Sequence, residues 1–328
     1  MARMADRTDR SPPVSVIGKK VAVASTSEAV APVPRLALIL IAAISILWGL
    51  NWPAMKFVVG ELDPWTFRIF SVFGAGFTLL LIARLGGERM AVPRARWGRF
   101  LAITFLAITC WHMLTAFGLG HVGGGRAAIV AFTMPVWAMI LSVLFLGERF
   151  TLRRVAALVL GMSGIIFLIG SDILVLGASP WGTLLILAAA MCWGAGTVGV
   201  KAFDWQIGTN ALSGWMLVTG GIPILAWWLA FVAPPDLSRL SGAGTLALCY
   251  VIFVALVFCF TSYLRLVRLL PASVAAISTL VIPVVGVISS AWLLGEAVGI
   301  NEVMALVLVL CSLALVLLQP RPASSRQP

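Results

Sequence analysis

Charged residues are scarce in this chain. Only 11% of the 328 residues are charged, whereas a soluble globular domain carries about 25%. Hydrophobic residues make up 61% of the chain, more apolar surface than a water-soluble fold of this size could bury. The composition therefore predicts a polytopic membrane protein.

Acidic residues are missing from the middle of the apolar runs, which would lie in the hydrocarbon core of a membrane. None of the twelve Asp and Glu residues falls in the middle of an apolar run. Carriers driven by protons or sodium generally bind the ion at a buried carboxylate. This absence favours a facilitator or uniporter, and a proton-coupled antiporter stays open as the alternative.

Patterns that would indicate an enzyme or a metal protein are also lacking. The five cysteines lie inside apolar runs without C-x-x-C spacing, which favours packing over metal binding or disulfides. Two histidines and no buried acid offer little to a membrane-embedded transferase, the alternative from another functional class. No cofactor or metal is expected.

Ten apolar runs are long enough, or nearly so, to cross a bilayer. Residues 1–34 form a basic tail that we predict to be disordered, and residues 319–328 form a second polar tail. Between the tails, residues 35–171 and 180–318 hold five runs each. The approximate limits of the runs are 36–57, 64–84, 99–118, 126–146, 153–171, 180–200, 209–231, 244–264, 272–294 and 299–318.

The positive charges predict the orientation. If the N-terminus lies in the cytoplasm, nineteen Lys and Arg residues fall on the inner side and three on the outer side, with Arg68 inside the second run. Positive charge accumulates on the cytoplasmic side of membrane proteins. Both termini are therefore predicted to be cytoplasmic, and the net charge of +11 gives no reason to expect nucleic acid as a partner.

Two matches show that one unit occurs twice. The residues Ala127, Pro135 and Glu148 return 148 positions later as Ala275, Pro283 and Glu296. Trp48-Gly49 likewise returns 145 positions later as Trp193-Gly194. Because each unit has an odd number of predicted spans, the second copy must be inverted, an arrangement typical of transporters.

The order of these motifs resembles a known group of carriers. Two five-span units that open with Trp-Gly and close with Pro followed by Leu-Gly-Glu are similar to the drug/metabolite transporter superfamily, in particular to its EamA-type ten-helix branch. Within that branch the chain resembles YddG-like exporters of aromatic amino acids. The resemblance implies a central cavity lined by spans 1, 3, 4, 6, 8 and 9.

Span 1 offers the strongest candidate for substrate binding. Trp48, Asn51, Trp52 and Met55 lie on one helical face. Two indoles beside an amide suit a ligand with an apolar body and a polar end, although a packing seam has the same pattern. In the second unit Trp193 is repeated, but Asn51 corresponds to Gly196.

Further candidates lie in four other spans. Trp111 and His112 lie near the middle of span 3, where His112 either faces the cavity or bonds to a neighbouring helix. In span 8, Phe258 and Ser262 are four residues apart and so share a helical face, and the next residue is Tyr263. Substrate contacts and lipid-facing positions are both open for this trio.

The repeated prolines Pro135 and Pro283 are predicted to kink spans 4 and 9 and to act as hinges, although a static kink that improves packing has the same pattern. They should free the carbonyls of Ala131 and Thr279. Met134 and Ser278 beside them are further lining candidates. Arg68 is expected to snorkel towards the interface or to cap backbone carbonyls, and contact with a substrate carboxylate stays open as the alternative. Glu148 is expected to anchor the end of its own helix through local hydrogen bonds.

The sequence therefore predicts an all-α membrane protein with ten transmembrane helices, arranged as two inverted five-helix repeats around a central cavity. We expect an exporter of small amphipathic metabolites, above all apolar or aromatic amino acids, which works by alternating access. Its partners would be the small-molecule substrate and the lipid bilayer. We expect a monomer in the bacterial cytoplasmic (inner) membrane.

Overall fold

Helices form all of the regular secondary structure in the described part of the chain, which confirms the all-α prediction. The structure is a computed structural model that describes residues 34–119, 121, 130–169, 180–294 and 300–317. Both predicted tails lie outside the described residues, apart from Pro34. The same holds for Arg126, for Glu296 and for the side chain of Trp52.

The first half of the chain contains six α-helices and one π-helical segment among its described residues. In order they are α1 (Arg35–Glu61), α2 (Pro64–Leu85), α3 (Trp97–Thr104), π1 (Phe105–Cys110), α4 (Trp111–Leu119), α5 (Met134–Leu146) and α6 (Leu152–Ile169). The segments α3, π1 and α4 follow one another without a break and form the third predicted span.

The second half repeats this order. Its helices are α7 (Pro180–Ala202), α8 (Thr209–Phe231), α9 (Gly242–Cys249), π2 (Tyr250–Phe260), α10 (Thr261–Leu269), α11 (Ala272–Ser278), α12 (Val281–Leu294) and α13 (Ile300–Leu317). Here α9, π2 and α10 are continuous and form the eighth predicted span.

Six described helical segments are long and apolar enough to cross a membrane, and they correspond to the predicted spans 1, 2, 3, 6, 7 and 8. Three more apolar helices are shorter, at Met134–Leu146, Ala272–Gly286 and Leu306–Leu315. Large apolar side chains such as Leu81, Phe145 and Leu229 are more than half exposed, as lipid-facing residues are. The membrane fold is thus confirmed, while the count of ten spans stays a prediction.

Helices of one repeat pack against helices of the other, and the contacting pairs are equivalent in the two repeats. Helix α1 of the first repeat contacts α12 of the second, and α7 of the second repeat contacts α5 of the first. In the same way α2 contacts π2, and α8 contacts π1. This exchange of equivalent partners is the packing expected of a two-repeat fold.

The glycine of each Trp-Gly pair lets these exchanged helices approach closely. A Cβ atom on Gly49 would lie 2.5 Å from Cγ1 of Val285, on α12. A Cβ atom on Gly194 would lie 2.9 Å from the backbone nitrogen of Ala138, on α5. The repeated glycines therefore have the same structural role in both units.

Both predicted kinks are helix breaks. Helix α5 begins at Met134 after a turn at residues 132 and 133, and α11 ends at Ser278 before α12 begins at Val281. Each proline lies in the first turn of the following helix, where its missing N–H costs nothing. The prediction that Pro283 frees the carbonyl of Thr279 is wrong, because this oxygen accepts from Ile282 N at 3.0 Å.

A π-helical segment interrupts the third and the eighth span at equivalent positions. The segment π1 begins at Phe105 and π2 begins at Tyr250, 145 residues later, the offset that also separates Trp48 from Trp193. π-Helical turns frequently occur at functional sites. The residues that follow π1, Trp111 and His112, line the central cavity, and those that follow π2, Thr261, Ser262 and Tyr263, are buried.

The two ends of the bundle differ in charge. One end, here called the basic end, contains the end of α2, the start of α3, the end of α7 and the start of α8. It includes Arg89, Arg99, Arg154, Lys201 and Arg268. At the opposite end, Arg239 is exposed and pairs with Asp236. The basic end is the one predicted to face the cytoplasm.

Candidate substrate cavity

A cavity of about 270 Å³ lies between the two repeats. Six of the predicted binding residues line it: Trp48, Asn51, Trp111, His112, Met134 and Trp193. The second and seventh spans, which the resemblance did not include, also contribute to its wall through Arg68 and Leu217. The volume is just below the range of about 300–1,000 Å³ that is usual for small-molecule sites, which suits a ligand of amino-acid size.

Four other predicted residues do not line the cavity. Phe258 is 43% exposed on the outer surface, whereas Ser262 and Tyr263 are buried. The expectation that Phe258 and Ser262 share a face is wrong, because π2 ends between them and changes the helical repeat. Ser278 is buried and donates to the carbonyl oxygen of Ala275 at 2.7 Å.

Aromatic rings close the cavity towards the basic end. We call Trp48, Trp111, Trp193 and Tyr263 the aromatic cluster. Trp193 lies centrally, with ring centroids 5.1 Å from Trp111, 5.9 Å from Tyr263 and 6.4 Å from Trp48. Because the rings come from α1, α4, α7 and α10, both repeats contribute to this closure.

Within the aromatic cluster, Tyr263 packs against the other rings on the side away from the cavity. Its side chain is 2% exposed, and its hydroxyl oxygen lies 2.9 Å from Oγ1 of Thr197 on α7. The hydrogen bond satisfies two buried hydroxyl groups at once. Tyr263 therefore holds α10 against α7 and fixes the ring planes of Trp48 and Trp193, rather than facing the cavity.

Asn51 lines the cavity and has an amide oxygen without a hydrogen-bond partner in the described residues. Its Nδ2 donates to Sδ of Met55 at 3.0 Å, one turn further along α1. Its Oδ1 is buried and has no hydrogen-bond partner among the described residues. A buried polar atom without a partner costs about 1–3 kcal/mol, which a ligand donor would recover.

Arg68 lines the cavity, so the expectation that it snorkels to the interface is wrong. It is half-buried, and its Nη1 lies 2.6 Å from Nδ1 of His112. An arginine can only donate, so Nδ1 must be the acceptor and the imidazole must be neutral. The Nε of Arg68 is buried without a partner in the described part of the chain.

Both interpretations of His112 apply at once. The ring both faces the cavity and bonds to a neighbouring helix, α2. Sequence spacing could not have revealed the pair, because its members are 44 residues apart on different helices. The one available signal was an arginine inside an apolar span.

Glu148 joins the two repeats at the basic end. Its carboxylate accepts from the backbone N of Ala272 at 2.7 Å and from Oγ of Ser273 at 2.5 Å. It also forms an ion pair of 3.0 Å with Arg154. The expectation of purely local bonds is therefore wrong, since Glu148 caps the N-terminus of α11 in the other repeat.

Two more groups make polar contacts at this end, Glu88 between the repeats and Lys201 within the second repeat. Glu88 accepts from Nδ2 of Asn210 at 2.7 Å and from the backbone N of Ala211 at 3.1 Å. Lys201 donates to the carbonyl oxygen of Arg268 at 2.9 Å, at the end of α10. Together with Glu148, these groups hold the basic end closed.

Comparisons with known proteins agree with this architecture. The sequence profile of the EamA-like transporter family matches residues 35–170 and again residues 180–318. The uncharacterized transporter YoaV of Bacillus subtilis is 23% identical over 83% of this chain and 94% of its own length. The uncharacterized inner membrane transporter YedA of Escherichia coli K12 is 27% identical over 84% of this chain and 89% of its own length.

Protein PagO of Salmonella typhimurium is 26% identical over 88% of this chain and 95% of its own length. A solved crystal structure that is 19% identical superposes with a TM-score of 0.73, covering 86% of this chain and 96% of that chain. At this identity the structural match supports the fold alone.

Proposed function

Because the chain belongs to the EamA-like transporter family, and is therefore a membrane transporter, we propose that it exports small amphipathic metabolites, above all apolar or aromatic amino acids. The observation that carries the proposal is the cavity between the repeats, with aromatic walls and a few unsatisfied polar groups. Such a lining fits a ligand with an apolar body and a polar end.

Alternating access supplies the mechanism. The cavity lies on the side of the aromatic cluster away from the basic end, and that end is held closed by Glu88, Glu148 and Lys201. We take this conformation to be closed towards the cytoplasm, with both termini on the cytoplasmic side of a bacterial inner membrane. The breaks at Pro135 and Pro283 are the proposed hinges.

We further propose that transport is facilitated rather than driven by an ion gradient. Among the described residues that line the cavity there is no Asp or Glu, so the lining offers no carboxylate to bind a proton or sodium ion in exchange for substrate. The neutral His112 is the one described lining group that could take up a proton, and a proton-coupled antiporter would have to use it.

Transport by purified protein in liposomes tests the proposal. Uptake of radiolabelled tryptophan, threonine, a sugar and a nucleotide sugar would be compared, each with and without an imposed proton gradient. We expect tryptophan uptake that is saturable and equal under both conditions. Acceleration by the gradient would favour the antiporter, and the absence of uptake of all four solutes would refute the transport proposal for these substrates.

A pair of tryptophan variants tests the site. Trp48→Ala removes a ring from the cavity wall and should raise KM for tryptophan about tenfold, the equivalent of about 1.4 kcal/mol. Trp181→Ala is the control, because Trp181 is 61% exposed on the outer surface. Equal KM values for the two variants would show that the substrate binds elsewhere.

A further inference from the structure

The cavity contains a cation without a counter-ion. Arg68 is the one charged residue among the described residues of the lining, and it makes no ion pair with any described carboxylate. A guanidinium group stays charged in proteins. An unpaired charge in a bilayer interior is costly and typically marks a binding site.

The geometry of Arg68 leaves one edge of its guanidinium free. The Nη1 atom bonds to Nδ1 of His112 at 2.6 Å. The Nε atom is buried without a partner, and Nη2 makes no hydrogen bond within the described part of the chain. The Nε–Nη2 edge is one of the two edges through which a guanidinium binds both oxygens of a carboxylate.

His112 fixes the direction of this free edge. By accepting from Nη1 it holds one corner of the planar group, and its ring comes from α4, directly after π1. A neutral acceptor orients the cation without cancelling its charge, whereas a carboxylate partner would cancel it. His112 is therefore a positioning residue for the arginine.

The structure offers much less to a positive group on a ligand. With no carboxylate among the described lining residues, the unpartnered Oδ1 of Asn51 is the polar atom best suited to accept from an ammonium group. A neutral amide oxygen binds a cation far less strongly than a carboxylate does. The polar side of the cavity is thus selective for negative charge.

From these observations we propose that the Nε–Nη2 edge of Arg68 is a carboxylate subsite, and that the cavity takes aromatic monocarboxylates whether or not they carry an amino group. The apolar end of the ligand lies against the aromatic cluster. The inference rests on the proposed function and deepens it, because it makes the carboxylate the required polar group and the amino group dispensable.

Binding of three indole compounds to the purified full-length protein tests this, by isothermal titration calorimetry in detergent. L-tryptophan has both charged groups, indole-3-propionate has only the carboxylate, and tryptamine has only the ammonium group. We expect the first two to bind with Kd values within about threefold of each other, and tryptamine to bind at least about tenfold more weakly. This comparison needs no variant, so it stays decisive if substitutions impair folding.

Substitution of the arginine should remove the selectivity. In Arg68→Gln the ratio of the tryptamine Kd to the indole-3-propionate Kd should fall from about ten or more to near one. Arg239→Gln is the matched control, since Arg239 is exposed, pairs with Asp236 and does not line the cavity, and it should leave the ratio unchanged. A tryptamine Kd equal to that of indole-3-propionate in the unmodified protein, or a ratio that survives Arg68→Gln, overturns the inference.

The positioning role of His112 has its own readout. His112→Asn keeps an acceptor near Nη1 and should preserve carboxylate selectivity, whereas His112→Phe should reduce it at similar ring volume. Equal selectivity in both variants would refute the positioning role.

The binding results are separable from the transport results. Tryptophan uptake combined with tight tryptamine binding would refute the carboxylate subsite and leave the transport proposal intact. The absence of both uptake and carboxylate binding would overturn both.

Discussion

Removal of the Glu148 carboxylate should destabilise the protein strongly, although Glu148 lies near a membrane surface. Its side chain is only 12% exposed and accepts from three donors. The residues that supply two of the donors, Ala272 and Ser273, are 0% exposed. In Glu148→Ala both donors lose their acceptor while the surrounding chain keeps them from water.

The size of the effect follows from those two groups. A buried donor left without an acceptor costs about 1–3 kcal/mol, so the pair costs about 2–6 kcal/mol. Arg154 adds little, because it is partly exposed and also donates to the carbonyl oxygen of Arg149 at 3.4 Å. In Glu148→Gln one side-chain oxygen can still accept, so we expect about half of the loss.

Thermal unfolding in one detergent measures the difference. The unfolding entropy of a chain of this length corresponds to about 1.5 °C per kcal/mol, so the expected fall in Tm for Glu148→Ala is about 3–9 °C. Glu61→Ala is the matched control. Glu61 caps α9 in a similar way, by accepting from the backbone N of Ser241 at 2.8 Å, but this bond is exposed to solvent.

A double-mutant cycle with Ser273→Ala isolates the contact between the repeats. The two substitutions remove the same hydrogen bond, so their combined effect should be smaller than the sum of the single effects by about 1 kcal/mol or more. Additive effects, or a loss for Glu148→Ala no larger than for Glu61→Ala, would refute the view that this carboxylate fastens one repeat to the other.

Two further substitutions test the packing around the aromatic cluster. Gly194→Ala should lower stability by about 1–3 kcal/mol, because the new Cβ would meet the backbone of Ala138 at 2.9 Å; the control Gly60→Ala, with no atom within 4 Å, should not lower Tm. Tyr263→Phe should cost about 1–2 kcal/mol by breaking the 2.9 Å bond to Thr197. Thr197→Val should add almost nothing in that background, and a clear further loss would contradict the assigned bond.

Much of the scaffold could be predicted because long apolar runs are bounded by charges and prolines. The run predicted at 64–84 is the helix Pro64–Leu85, and the run at 209–231 has the limits of the helix Thr209–Phe231. Asp63 explains one of these boundaries, since its carboxylate caps the helix through Trp65 N and Thr66 N. The residues at the helix boundary were therefore enough to predict where this helix begins.

The register of side chains around the cavity could not be predicted in the same way. A helix that is apolar on all sides has no periodic signal that marks where a π-helical segment begins. The segment π2 therefore placed Phe258 and Ser262 on different faces, contrary to the regular spacing of an α-helix. The Arg68–His112 contact was hidden for another reason, since pairing between distant helices leaves no trace in the spacing of one helix.

The duplication explains the scaffold, and its imperfections explain the chemistry of the cavity. Both repeats supply a Trp-Gly pair, a π-helical segment and a helix broken before a proline. The amide, guanidinium and imidazole groups of the cavity come from the first repeat, because Asn51, Arg68 and His112 all precede residue 171, whereas the second repeat adds the indole N–H of Trp193. At the shared offset of 145 residues the second repeat has Gly196, Ser213 and Val257 at these positions.

A symmetric cavity would bind an amphipathic molecule equally well in two opposite orientations. With Asn51, Arg68 and His112 on one repeat and mostly apolar side chains such as Leu217, Ala255 and Phe260 on the other, the proposed subsite would favour one orientation, with the carboxylate towards α2 and α4. Because Arg68 lies one turn from the start of α2, at the end opposite the basic end, a bound carboxylate would lie near the predicted outer surface. On release to that side it would be the first part of the substrate to regain water, which suits a carrier that exports.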